Sequence, residues 1–188
     1  ELFNIWLFAE EEFTMKKIVA VTLALLVLAG CSSETYQTGL GIVNNIGSSK
    51  NATADAEGLA QSDVTAAAVT VDSKNTIVSI SFDVVQTKVK FDNTGTITTD
   101  LATEFKTKRE LQDDYAMRGA SPIGKEWFEQ AEALEKYAMG KTVADFLAMP
   151  TTENEHGTVP ATDDLTSSCT MAVSDFLAAT EKAAANLK

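Results

Sequence analysis

Two β-branched runs around a short polar turn constrain the fold more than anything else in the chain. Val64 to Val71 (VTAAAVTV) and Ile77 to Val85 (IVSISFDVV) mostly alternate, with Asp72-Ser73-Lys74-Asn75 between them. Two such runs read as a β-hairpin. Successive side chains on a strand point to opposite faces. Ile77, Ser79, Ser81 and Asp83 are therefore expected on one face, and Val78, Ile80, Phe82 and Val84 on the other, apolar one. Gly39 to Ile46 (GLGIVNNI) suits a first strand, and the polar, small-residue stretch Gly47 to Leu59 suits a loop. Gln86 to Phe91 either continues the hairpin or begins another strand. Asp92-Asn93-Thr94-Gly95 is a second turn, followed by a short strand at Thr96-Ile97-Thr98.

Beyond residue 106 the apolar period changes from two to about 3.6. Thr107 and Glu110 fit a capping box, with Leu111 and Tyr115 one turn apart and an end near Gly119. Ser121-Pro122 suits a helix start. Trp127, Ala131, Leu134 and Ala138 then recur at helical spacing up to Gly140, a C-cap residue. Thr142 and Asp145 start a shorter helix, stopped by Pro150. Residues 151–162 are expected as a loop, and a last helix from about Thr170 to Ala185. Strands first and helices after predict an α+β fold, an N-terminal antiparallel sheet packed with C-terminal helices. The repeated phrases Tyr115-Ala116-Met117 and Tyr137-Ala138-Met139 each precede a predicted helix end and do not mark a duplication.

The start of the chain carries its address. Ile18 to Leu28 is an uncharged apolar run that follows Lys16 and Lys17 and leads into Leu28-Ala29-Gly30-Cys31. A basic start, a short apolar centre and a small-residue cleavage site describe a secretory signal peptide. The run is too short to span a bilayer, which takes ~20 apolar residues. Leu28-Ala29-Gly30-Cys31 resembles the bacterial lipobox. That resemblance implies cleavage before Cys31 and acylation of its thiol, and so a lipid-anchored protein of the cell envelope, outside the cytoplasmic membrane. The domains expected are residues 15–30 as signal peptide, 31–38 as tether and 39–188 as one extracytoplasmic α+β domain. Residues 1–14 fit poorly, because Glu10-Glu11-Glu12 have the wrong sign for a leading region. They are expected to lie upstream of a true start at Met15; a long signal peptide is the rival reading.

Composition narrows the function. The chain has 27 acids, 15 bases and a net charge of −12. Nucleic acid is excluded as a partner, since its binding rests on Lys and Arg neutralising phosphates. With Cys31 lipidated, Cys169 is the one thiol left, and no intrachain disulfide can support the domain. It reads as a small buried filler. His156 is the single histidine and is expected in a water-exposed loop. No G-x-S-x-G elbow and no EF-hand spacing appears. No catalytic residue and no metal ligand is assigned, and an enzyme is disfavoured.

One segment asks for more than packing: Asp164-Leu165-Thr166-Ser167-Ser168-Cys169-Thr170-Met171-Ala172-Val173. A single Ser or Thr suffices to N-cap a helix, contributing ~1 kcal/mol, yet four hydroxyls stand here. A helix start also favours anions, so the cluster suits a phosphate. The segment resembles the flavin-attachment motif of FMN-binding domains of bacterial envelope proteins, Asp-x-x-Ser-Gly-Ala-Thr-x-Thr-Ser. Asp164 stands at the Asp, Ser167 at the Ser and Thr170 at the acceptor Thr. Ser168 replaces Gly, Cys169 replaces Ala, and Ala172 and Val173 replace the trailing Thr-Ser. The hairpin region likewise looks like the family's β start.

The resemblance implies FMN at Asp164, Ser167, Ser168 and Thr170, joined to Thr170 by a flavin transferase. It implies an electron carrier with redox partners, in which Trp127, Tyr115 or Tyr137 stacks on the ring. The alternatives are a lipoprotein that binds a small molecule without redox chemistry, and a structural surface lipoprotein.

Overall fold

The computed structural model describes residues 34–155 and 157–188. The signal peptide, Cys31 and His156 lie outside the described residues. The fold is α+β, as expected: a three-stranded antiparallel sheet, in the order β1-β2-β3, packed against C-terminal helices. Strand β1 is Gln37–Asn45, β2 Gly58–Val71 and β3 Ile77–Phe91. The second half of the chain holds α1 (Lys108–Leu111), α2 (Trp127–Ala138), α3 (Val143–Leu147), α4 (Asp163–Thr166) and α5 (Ser174–Ala185).

The long hairpin forms because Asp72 closes its turn. One Asp72 carboxylate oxygen accepts the N–H groups of Lys74 and Thr76, both at 2.8 Å. Next to the turn the register slips: Val71 opposes Ile77, but Thr70 opposes Ser79. Val78 is thus the extra residue of a β-bulge. This corrects the expected alternation at the strand start, since Ile77 is buried and Val78 exposed. From Ile80 on, Ile80, Phe82 and Val84 face the core as expected.

The core face pairs Val71, Val69 and Ala67 with Ile77, Ile80 and Phe82 in turn, and α2 supplies Trp127, Ala131, Leu134 and Ala138. Phe82 sits at the centre, its ring 5.1 Å from Phe176 edge-on and 6.4 Å from Phe146.

Helix α5 lies on the edge of the sheet at backbone contact. A methyl group at Gly39 would overlap the carbonyl of Ala183, and one at Gly41 that of Ala179. Glycines on β1 facing alanines one turn apart on α5 make that approach possible. The helix also blocks the edge. Asn186 Nδ2 donates to the Leu40 carbonyl (3.1 Å) and Lys182 Nζ to that of Ile42 (2.9 Å). Opposite, on β3, Glu135 accepts the Phe82 N–H at 2.7 Å and Arg109 Nε donates to the Phe82 carbonyl at 2.6 Å, with Arg109 and Glu135 paired to each other. Both edges are thus partly occupied, by these side chains and by backbone bonds of Thr38 with Lys188 and of Lys90 with Thr98, which disfavours edge-to-edge association.

The helical half departs from the sequence pattern in four places. The Thr107–Glu110 capping box forms, but α1 passes into a short 3-10 turn at Gln112–Tyr115 and stops at Ala116. Pro122 does not open the next helix: Glu126 caps α2 in a box with Glu129. Residues 151–162 contain a small hairpin, β4 (Thr151–Asn154) with β5 (Gly157–Pro160), where a loop was expected. The last helix begins at Ser174, not near Thr170, with α4 ahead of it.

The glycine contact predicts a clear thermal phenotype. Gly41→Ala should destabilise the domain by about 1–3 kcal/mol, the usual range for overpacking. Circular dichroism melting should show a fall of several degrees. Gly119→Ala, where an added methyl meets nothing within 4 Å, should melt like the parent.

Candidate functional site

On the core face, the inward positions of the sheet turn from apolar to polar toward one end. Asn45 opposes Asp63, and Asp63 opposes Gln86. Asp63 is held by its neighbours: Gln61 Nε2 donates to both its oxygens (2.8 and 3.0 Å), Gln86 Nε2 to one (3.1 Å) and Ser48 Oγ to the other (3.3 Å). Asn45 Nδ2 donates to Asp175 Oδ2 at 3.1 Å, linking this polar row to the first turn of α5.

Above the row lies a groove of about 260 Å³, lined by Tyr115, Met117, Trp127, Met171 and Phe176 with the polar floor beneath. A second depression of about 530 Å³ adjoins it, sharing Gln86, Lys108 and Tyr115 and adding Lys88, Lys106 and Phe105. Together they reach the ~300–1,000 Å³ usual for small-molecule sites.

Lys108 stands where the two meet. Its Nζ is 4.5 Å from the centre of the Tyr115 ring and 5.5 Å from that of Trp127, within cation–π reach. Burial pushes the Lys108 ammonium down to about 8, opposed by the Asp63 carboxylate and assisted by Lys88. The same burial raises the Tyr115 phenol. Lys108 is therefore mostly a cation at pH 7 and mostly neutral at pH 9.

The groove wall is set by buried hydrogen bonds. Glu126, 2% exposed, accepts the N–H groups of Met117 (2.9 Å) and Arg118 (2.8 Å). That fixes the segment carrying Met117 against the start of α2, where Trp127 follows. Ser174, Asp175 and Phe176 open α5 into the groove, and the cap residue Val173 supplies no side-chain bond.

The four residues singled out from the motif do not meet at this groove. Asp164 and Ser168 line a separate depression with Lys125, Lys136, Lys141 and Tyr137. Ser167 ends α4 and is exposed. Ser168 Oγ donates to the Leu165 carbonyl at 3.2 Å. Thr170 donates its N–H to Gln130 Oε1 at 2.9 Å, and its hydroxyl lies 3.4 Å from the same oxygen. None of these hydroxyls caps α5.

The groove begins one residue later, with Met171, Ala172 and Ser174 on its wall. Of the three aromatic candidates, Tyr115 and Trp127 line it, while Tyr137 lies beneath Lys141 in the other depression. Cys169 is buried, and desolvation pushes its thiol up to about 11. Among the described residues, no group of three or more His, Cys, Asp or Glu side chains is placed to hold a metal ion.

The groove fits part of what an FMN needs: the half-buried Tyr115 ring and a half-buried cation at Lys108, while Trp127, 3% exposed, belongs to the core behind it. Ser168 in place of Gly puts no strain on the chain, since its backbone is not left-handed. Attachment at Thr170 fits less directly, because that hydroxyl is turned toward Gln130.

Comparison with known proteins places the N-terminal segment. A family model for the prokaryotic membrane lipoprotein lipid attachment site matches residues 15–32. The chain is thus a membrane lipoprotein, held in the cell envelope by an N-terminal lipid. Over 41 residues it is also 46% identical to a protein named chlorophenol reductase from Desulfitobacterium hafniense. That stretch is 22% of this chain and 12% of that protein, so only a small part of the relative's length is covered. No solved structure matches.

The Lys108 environment yields a pH prediction. Its folded value of about 8 lies below the ordinary 10.5. Between those values the unfolded chain binds the extra proton, so Lys108 makes stability rise with pH across that window. Lys108→Met should remove this contribution and stabilise the fold at pH 7. Urea melts of both proteins at pH 7 and pH 10 should give stabilities that converge as pH rises.

Proposed function

We propose that this lipoprotein is an extracytoplasmic electron carrier that holds FMN in the groove at the start of α5, with Cys31 bearing its lipid. The single observation that supports this best is the convergence of Tyr115, Trp127 and Lys108 beside the segment that follows Thr170. FMN, when bound, supplies reversible electron chemistry, and the protein supplies binding, orientation and electrostatics.

In this reading the half-buried Tyr115 ring offset-stacks on the flat ring system, an aromatic pair worth ~0.5–1.5 kcal/mol beyond its buried area, and Trp127, 3% exposed, backs the groove from the core. Lys108 presents a cation to a ligand that carries negative charge. Glu126 keeps the Met117 wall in place. Thr170 is the proposed site of phosphoester attachment, and its bond to Gln130 must open for a transferase to reach the hydroxyl. Asp164, Ser167 and Ser168 lead up to it on the outer surface, as a recognition segment for that transferase. The partial relative is named a reductase, in keeping with a redox role. Anchoring by lipid outside the membrane suits delivery of electrons to envelope partners.

The bond between Thr170 and Gln130 favours FMN held without a covalent link, and the alternative to the electron-carrier reading is a lipoprotein that binds a small molecule without redox chemistry. The mixed lining of Asp63, Asp175 and Lys108 suits a ligand with both charges.

One preparation separates these readings. Protein purified from its native membrane should be yellow, with flavin absorption bands and an intact mass raised by one FMN that maps to Thr170. Colour lost on denaturation, with no added mass, would mean FMN held without a covalent bond. A colourless protein carrying lipid alone would contradict the flavin reading.

A further inference from the structure

The face of the sheet that points away from the helices is nearly free of charge. On β1 it presents Thr38, Leu40, Ile42 and Asn44, and on β2 Ala60, Ser62, Val64, Ala66, Ala68 and Thr70. On β3 it presents Ser79, Ser81, Asp83, Val85, Thr87 and Val89. A solvated face of an antiparallel sheet normally alternates polar residues outward, and 22% of this chain is charged. Here Asp83 is the one charged residue among these positions. It is half-buried at the β3 edge, with its Oδ1 accepting the N–H groups of Val84 (2.8 Å) and Arg109 (3.3 Å).

At the β1 margin the face becomes apolar. Leu40 is 55% exposed and Ile42 49%, and Tyr36 just before the strand is 53% exposed. No described helix or strand packs over this face.

We propose that this face of the sheet lies on the surface of the bilayer that holds the lipid. The length of chain before β1 selects the membrane as occupant. Cys31 precedes Gln37 by six residues, a reach of at most about 20 Å for an extended chain. The apolar margin of β1 is therefore kept within a short span of the lipid headgroups.

Charge agrees. The mature chain from Cys31, with 23 acids and 13 bases and so a net charge of −10, is repelled from anionic headgroups on its acidic sides. The neutral face is the one it can set down without that penalty. Tyr is favoured at membrane interfaces, and Leu and Ile supply apolar area. Among the described residues no helix is long and apolar enough to cross a membrane, so the contact is interfacial. The flavin groove lies on the opposite face of the sheet and would open away from the bilayer, toward soluble partners. The contact rests on the anchor at Cys31 and not on the flavin reading.

The test uses the intact lipoprotein in phosphatidylcholine vesicles, with part of the lipid brominated. An environment-sensitive thiol fluorophore is placed at Ala68→Cys on the open face, or at Glu181→Cys on exposed α5. Buried Cys169 remains unlabelled. Interfacial contact brings a side chain to the headgroup and acyl boundary, so the Ala68 label should be quenched about threefold more than the Glu181 label.

Replacing Leu40 and Ile42 together with Asn should reduce quenching at Ala68 while vesicle flotation, set by the lipid, stays intact. Equal quenching at the two positions would overturn the proposal. So would spin–spin distances showing two Ala68 sites facing one another, which would mean that a second copy covers the face. Loss of flotation in the parent would overturn the anchor itself and is read separately.

Discussion

The backbone contact between β1 and α5 is what the rest of the molecule depends on. Gly39 and Gly41 offer no side chains, and Ala179 and Ala183 offer only methyls, so a helix carbonyl and a strand backbone touch. Any larger residue on the strand would lift the helix. That seat fixes where α5 begins, and with it Ser174, Asp175 and Phe176 on the groove wall. It also brings Asn186 and Lys182 onto the open carbonyls of β1. One close approach therefore covers part of a sheet edge and builds one side of the site.

Much of the fold was legible because its signals are local. The β2–β3 hairpin follows from alternation and an Asp turn, and the Thr107 and Thr142 caps from side chains that bond their own backbone. What the pattern hid came from longer-range choices. The bulge at Val78 exchanges the faces of Ile77 and Val78 through pairing with β2, which no single run reveals. Pro122 looked like a helix start, but Glu126 is a better cap because its buried carboxylate also ties down Met117 and Arg118. The hairpin at 151–160 is short and mostly polar, so its strands lack the apolar alternation that would announce them.

The groove was half legible. Tyr115 and Trp127 stood out as aromatics, but Lys108, Asp63 and Gln86 did not. Their signal is a change along an inward-facing row: Val71, Val69 and Ala67 give way to Thr65, Asp63 and Gln61. Polar residues on the core parity of a strand mark the place where the core ends and a site begins. The hydroxyl cluster at 166–170 drew attention for its composition. In the fold Ser168 bonds Leu165 and Thr170 bonds Gln130, and the groove starts just after them.

Lys88, Lys106 and Lys108 line the half of the groove that adjoins Tyr115. A half-buried tyrosine ring beside a half-buried cation suits a flat anionic ligand. After cleavage before Cys31, Trp6 is lost and Trp127 is the one tryptophan of the mature chain. It lines that same groove, which makes its emission a direct reporter. The decisive measurement is a titration of the purified, flavin-free mature lipoprotein with FMN, followed by Trp127 fluorescence. A flavin site in this groove should give saturable quenching at one FMN per chain. Emission that stays unchanged with FMN in large excess would contradict it.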